Sequence, residues 1–72
     1  MPNEYMHLVE AAYARALESI AQGATKRETR DYIRTLYPAL HADDLADSMA
    51  DAIMDAADYG IEREDIDASW LR

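Results

Sequence analysis

The chain has 72 residues, no cysteine and a net charge of −8, which exclude a disulfide-stabilised fold and disfavour direct binding to nucleic-acid phosphates. A chain of this length forms one domain that buries only about 60% of its unfolded surface. The absence of cysteine fits an intracellular protein, and the acids near the start differ from the basic flank and apolar block of a signal peptide. We therefore expect one soluble domain, residues 1–72, in the cytoplasm and without membrane contact.

A first helix is predicted from Pro2 and Asn3, a plausible helix start, to about Gln22. Gly23 suits the left-handed position that commonly follows a helix. Between these limits, apolar side chains recur every three or four residues and should face a core. They are Tyr5, Val9, Ala12, Tyr13, Ala16, Leu17 and Ile20.

The second helix should begin in the segment "TKRE", because Thr25 and Glu28 have the spacing of a capping box. It should end before Pro38, since the residue that precedes a proline is disfavoured in the helical conformation. One side of this helix is apolar and should pack on the first helix. That side consists of Thr29, Ile33, Leu36 and Tyr37.

A third helix is predicted from Ala42 to Tyr59, with Gly60 as its C-terminal stop. Its apolar side chains fall in one wedge of the helix and should face the core. This wedge consists of Leu45, Met49, Ala52, Ile53, Ala56 and Tyr59.

A short tail with Ile61, Ile66, Trp70 and Leu71 follows the third helix, and we expect it to close the bottom of the core through one helical turn. The sequence therefore predicts an all-α fold, a small bundle of three helices plus a short C-terminal helical turn. A few apolar residues lie outside the main apolar faces and are expected at the edge of the core. These are Met6, Tyr32 and Met54.

Six aspartates share a wedge of about 120° on the third helix, opposite its apolar wedge, and we call them the acidic stripe. Asp43 and Asp44 are favoured by the helix dipole, but Asp55 and Asp58 oppose it near the C-terminus. Like charges also stand one turn apart, so the stripe costs about 3 to 5 kcal/mol. The sequence predicts that all six carboxylates point into water. The acidic stripe consists of Asp43, Asp44, Asp47, Asp51, Asp55 and Asp58.

Two explanations account for this cost. The stripe either keeps the protein soluble or binds a basic groove of another macromolecule. Six charges along about 22 Å of helix give one charge per roughly 4 Å, close to the spacing on one strand of B-DNA. Such a helix is suited to compete for a strand-binding channel. The candidate partner-binding residues are Asp44, Asp47, Asp51, Asp55, Asp58 and Glu62.

Four bases on neighbouring turns give the second helix a basic side, made of Lys26, Arg27, Arg30 and Arg34. One interpretation is a solvated face that pairs with Glu28 and Asp31. Another is contact with the acidic stripe of a second copy, which predicts a homodimer.

Catalysis and metal binding are not indicated by the sequence. A stripe that points into water lacks the desolvated pocket of a catalytic carboxylate, and acids on a regular helix do not form a calcium loop. His7 and His41 have no neighbouring ligand pattern, so surface or capping roles are expected for them. No serine stands in a nucleophile-elbow motif. We expect no enzyme activity, no metal and no cofactor.

The segment "ATKRETRDYIRTLYPALHADDLADSMADAIMDAADYGIE" resembles the C-terminal helical region of portal proteins from Mu-like phages. In that family a helix leads to a "LYP" turn, and a second helix opens with Leu-Ala, has an Ala-rich centre and ends at a glycine. The chain departs from the family in size and has none of the portal's other parts. The matching residues are Leu36, Tyr37, Pro38, Leu45, Ala46, Ala52, Ala56, Ala57 and Gly60.

The resemblance implies a phage protein that acts inside a host cell. A small acidic helical phage protein is also similar in kind to anti-CRISPR and anti-restriction inhibitors. The leading hypothesis is a non-catalytic inhibitor whose acidic helix face binds a basic protein surface within a nucleic-acid-binding complex. The alternative is a structural or assembly module of a phage particle, and an adaptor with an unrelated partner is a third hypothesis.

Overall fold

The computed structural model describes residues 4–71, and within them it shows an all-α fold of three helices and three short 3₁₀ turns. The helices are α1 (Glu4–Ala21), α2 (Lys26–Leu36) and α3 (Ala42–Asp55). This confirms the predicted fold class. The predicted start of the first helix, Pro2 and Asn3, lies outside the described residues.

The boundary between α1 and α2 follows the predicted stop and start signals. Gly23 has a φ of 81°, in the left-handed region. The Glu28 amide donates to the Thr25 hydroxyl over 3.0 Å, and the Thr25 amide donates to the Glu28 carboxylate over 3.1 Å. These two bonds form the predicted capping box, and the hydrogen bond from the Thr25 amide lowers the pKa of Glu28.

The third helix ends earlier than predicted. The α-helical part of α3 stops at Asp55, and a 3₁₀ turn continues from Ala56 to Tyr59 before Gly60, at a φ of 81°, ends it. A 3₁₀ turn advances about 120° per residue rather than 100°, so later side chains rotate away from the helical wedge. Tyr59, predicted to face the core, is instead 65% exposed.

The core forms mainly where α1 packs on α3, and the two helices run in the same direction, since Tyr5 contacts Asp44 while Tyr13 contacts Asp55. Alanines on both helices allow this close packing. The buried apolar residues, all at most 4% exposed, are Ala12, Ala16, Ile20, Ile33, Leu45, Met49, Ala52, Ala56 and Trp70.

The second helix packs on α1 but has little contact with α3. The Cα positions extend 40 × 22 × 17 Å, and 17 Å corresponds to about two layers of helices. As a result, an open groove runs between α2 and α3. Thr29 and Ile33 are buried as predicted and Tyr37 is half-buried, whereas Leu36, the last residue of α2, is 41% exposed.

The tail closes the end of the molecule at the start of α2, through 3₁₀ turns at Arg63–Asp65 and Ala68–Trp70. Trp70 is 4% exposed, and its indole N–H donates to the carbonyl of Ala24 over 2.7 Å. The Lys26 amide donates to the Ser69 hydroxyl over 2.9 Å.

The other apolar residues at the margin of the core divide into two groups. Ile61 and Ile66 are half-buried against the core, as predicted for the tail. The remaining four are more exposed than predicted. Met6, Tyr32 and Met54 were expected at the edge of the core, and Leu71 was expected to help close it. Their exposed fractions are 49% for Met6, 47% for Tyr32, 73% for Met54 and 47% for Leu71.

Candidate interaction surfaces

The acidic stripe divides into two kinds of side chain. Asp43, Asp47, Asp51 and Asp58 are exposed, and no cationic side chain within residues 4–71 comes within ion-pair distance of them. Glu62 is also exposed, just beyond the Gly60 turn. These carboxylates point into water, as predicted.

The other two aspartates of the stripe are half-buried and bind tyrosines of α1. The Tyr5 hydroxyl donates to the carboxylate of Asp44, and the Tyr13 hydroxyl donates to that of Asp55 over 2.8 Å. The prediction that all six carboxylates point into water is therefore wrong for this pair. They lie at the edge of the stripe nearest α1, where a tyrosine can reach them.

Both tyrosines have a raised pKa. For Tyr5 the largest cause is desolvation, followed by its hydrogen bond to Asp44. For Tyr13 the largest cause is the hydrogen bond to Asp55, and desolvation is the second. The pKa of Tyr13 lies well above the ordinary value of 10.0. In each case the carboxylate favours the neutral hydroxyl over the phenolate, so the bond depends on the tyrosine remaining protonated.

This arrangement predicts a loss of stability in alkali. Because the pKa of Tyr13 is higher in the folded than in the unfolded state, its hydrogen bond contributes its full stability below pH 10.0, the ordinary pKa. That stability is lost as the pH rises above 10.0 towards the pKa of the folded state. Tyr13→Phe should lower the melting temperature by a few degrees at neutral pH, because Asp55 loses its donor. The variant should also lose less stability than the parent between about pH 8 and pH 11.

Thermal melts across that pH range provide the measurement. Tyr32→Phe is the matched control, since Tyr32 is 47% exposed and its hydroxyl makes no hydrogen bond to any other residue between 4 and 71. If Tyr13→Phe and Tyr32→Phe show the same pH dependence, the Tyr13–Asp55 bond does not contribute to folding.

The second surface is the groove between α2 and α3, with a volume of about 500 Å³. Its floor is apolar, and three bases of α2, at successive four-residue spacings, form one wall. No carboxylate within residues 4–71 makes an ion pair with these bases or with Arg27, so the predicted pairing of the basic side with Glu28 and Asp31 is wrong. The groove is lined by Lys26, Arg30, Arg34, Ala42, Leu45, Ala46, Met49, Ala50, Ile53, Met54 and Trp70.

Sequence reasoning found the bases but not the groove. One feature of the sequence could have predicted one side of the groove. Ala42, Ala46 and Ala50 form a row between the apolar wedge and the acidic stripe of α3. Side chains this small cannot reach across to α2. All three alanines are exposed, and they form the α3 side of the groove.

The two histidines occupy surface positions. His7 lies 4.0 Å from the carboxylate of Glu10, one turn further along α1. His41 precedes α3, its ring lies 5.3 Å from that of Tyr5, and its amide donates to the Tyr5 hydroxyl over 3.0 Å. Across residues 4–71, no three acidic or histidine side chains are grouped to hold a metal ion.

None of the helices in the described part of the chain has the length and apolar character needed to cross a membrane. Comparison with models of protein families, with curated proteins and with solved structures finds no match to this chain. A function for this chain is therefore inferred from its own two surfaces.

Proposed function

We propose that this chain is a non-catalytic binding protein of phage type. Its acidic stripe docks on a basic surface of a nucleic-acid-binding protein and inhibits it by competing with the nucleic acid. The observation that carries the proposal is the exposed row of carboxylates at Asp43, Asp47, Asp51 and Asp58, which make no ion pair within residues 4–71.

The charge density of this row determines which form of nucleic acid it resembles. Four exposed charges lie between residues 43 and 58, over about 24 Å, which leaves roughly 8 Å between neighbouring charges on average. That is somewhat under half the density along one strand of B-DNA. The row therefore suits a channel for a single strand better than a surface that holds a duplex.

The energetic cost of the row also supports the proposal. Asp43, Asp47 and Asp51 stand at successive four-residue spacings, where like charges destabilise a helix by about 0.2 to 0.5 kcal/mol per pair. Asp58 lies near the C-terminal end, where a negative charge opposes the helix dipole. A cationic partner relieves both effects when it binds, and it is steered towards the row before contact.

A second candidate function is an assembly module of a phage particle, similar to the C-terminal region of the portal protein. The open groove between α2 and α3 favours it, because an unfilled channel between helices is suited to packing against further helices. The two candidates use different surfaces of α3, so variants on each surface distinguish them.

The test of the leading proposal is a variant with three charges removed outside the groove between α2 and α3, Asp51→Asn, Asp58→Asn and Glu62→Gln. Asp44 and Asp55 stay unchanged because they hold α1. Asparagine has nearly the helix propensity of aspartate, so the variant should fold at least as stably as the parent. Its binding to the partner should fall by about tenfold or more, mainly through slower association.

The measurement uses lysate proteins eluted from a single-stranded DNA column, passed over the immobilised chain and challenged with an oligonucleotide. The parent should retain proteins that the oligonucleotide releases, and the variant should retain far less of them. A control with the same change in net charge replaces Glu4, Glu10 and Glu18 on α1 by glutamine, and it should bind like the parent. Equal retention by the parent and the three-charge variant would show that the stripe serves only solubility.

A further inference from the structure

The groove between α2 and α3 has a shape that can accommodate another helix. Ala42, Ala46 and Ala50 form an exposed row of small side chains along its α3 side, and Leu45, Met49 and Ile53 supply an apolar floor. Small side chains let a second helix approach closely. The lining runs from residue 42 to residue 54, which corresponds to about 18 Å, or roughly three helical turns.

The charges around the groove specify the occupant further. One wall carries Lys26, Arg30 and Arg34, which make no ion pair within the described residues. A fitting helix therefore needs small or apolar side chains along one face and carboxylates along the edge beside that face. It also needs a length of about three turns.

This chain contains such a helix in α3 itself. It has 14 residues, its alanine row is exposed, and Asp43 and Asp47 flank that row on the side away from α2. Because the complementary surface lies on the same face as the groove, two copies can each supply both halves of the contact. Such a contact is isologous and closes as a dimer.

The charge pattern also determines the direction of the symmetry axis. A two-fold axis perpendicular to α3 makes the two α3 helices antiparallel and places bases beside bases and acids beside acids. A two-fold axis parallel to α3 makes them parallel and places the acidic edge of each α3 beside the basic wall of the other copy. Only the parallel arrangement pairs opposite charges on both sides.

We infer that the groove is the interface of a homodimer, in which the α3 helices of two copies pack in parallel through their alanine rows. Asp43 and Asp47 of each copy then face Arg34 and Arg30 of the other, because these two bases lie beside the N-terminal half of α3. The inference goes beyond the proposed function. The dimer uses Asp43 and Asp47, whereas Asp51 and Asp58 stay exposed on each copy and remain open to a cationic partner.

Sedimentation of reciprocal charge variants tests the charge pairing. The parent should sediment as a dimer with a micromolar dissociation constant. One variant carries Arg30→Glu and Arg34→Glu, and the other carries Asp43→Arg and Asp47→Arg. Each alone should associate at least about tenfold more weakly than the parent, because like charges then face each other, and an equimolar mixture should recover the dimer.

Controls with the same change in net charge separate pairing from overall repulsion between copies that each carry −8. Arg27→Glu with Arg63→Glu matches the first variant, and Glu10→Arg with Glu18→Arg matches the second. Both controls change residues outside the groove lining. A parent chain that sediments as a monomer up to about 0.5 mM, or a mixture that does not recover the dimer, overturns the inference.

Disulfide formation tests the parallel packing without changing any charge. The chain has no cysteine, so a single substitution can form only an intermolecular bond, and its Cα atoms must come within about 7 Å. Ala46→Cys and Ala50→Cys should each crosslink with themselves, whereas Ala14→Cys, exposed on α1, should remain monomeric. Crosslinking only in a mixture of the two α3 variants would show antiparallel packing and overturn the parallel arrangement.

Discussion

Replacing Trp70 with alanine should lower the free energy of unfolding by about 3 to 5 kcal/mol, which is most of the stability expected for a domain of this size. Trp70 is 4% exposed and packs on the start of α2. The substitution leaves a cavity at the edge of the core. It also leaves the carbonyl of Ala24 without the indole N–H that now donates to it.

Thermal and denaturant melts followed by circular dichroism measure this effect. Leu71→Ala is the matched control, because the neighbouring side chain is 47% exposed and should change stability by less than about 0.5 kcal/mol. Trp70→Phe should fall between the two, since it fills part of the volume but restores no donor. Equal melting of Trp70→Ala and the parent would show that the tail does not stabilise the fold.

Leu45→Ala should cost about 2 to 5 kcal/mol, while Ile53→Ala should cost only about 1 to 2 kcal/mol. Leu45 is 3% exposed in the core between α1 and α3. Ile53 stands on the same helix but is half-buried, and part of its side chain lines the groove. The apolar wedge predicted from the sequence treats the two positions alike, whereas the structure separates them.

Urea titrations of the two variants at low protein concentration check this difference, because dilution removes any contribution from a dimer. A larger loss for Ile53→Ala than for Leu45→Ala would contradict the description of the groove as open to solvent. It would indicate that α2 closes on α3 in solution.

The helix boundaries follow from local chemistry that the sequence displays. Thr25 and Glu28 form their capping box, and Gly23 and Gly60 take the left-handed positions predicted for them. Each of these features depends on residues close together in the chain. The tightening of the helix after Asp55 was not predictable in this way. Asp58 opposes the helix dipole only weakly, and no residue from Ala56 to Tyr59 excludes an α-helix.

The two surfaces were predictable only in part, for a related reason. The acidic stripe follows from helical periodicity, and its exposed members were predicted correctly. The bonds from Tyr5 to Asp44 and from Tyr13 to Asp55 depend on how α1 is placed against α3, which periodicity does not specify. The groove depends on an absence of contact between α2 and α3, which no pattern within one helix can indicate.

The tail's hydrogen bonds have a consequence for how the fold opens locally. The first amides of a helix usually lack partners within it, and helix ends therefore fray easily. Here the Lys26 amide binds Ser69, 43 residues later in the chain, and Trp70 binds the carbonyl just before the capping box. The start of α2 and the tail therefore form one cooperative unit, in which the first turn cannot fray until the tail detaches.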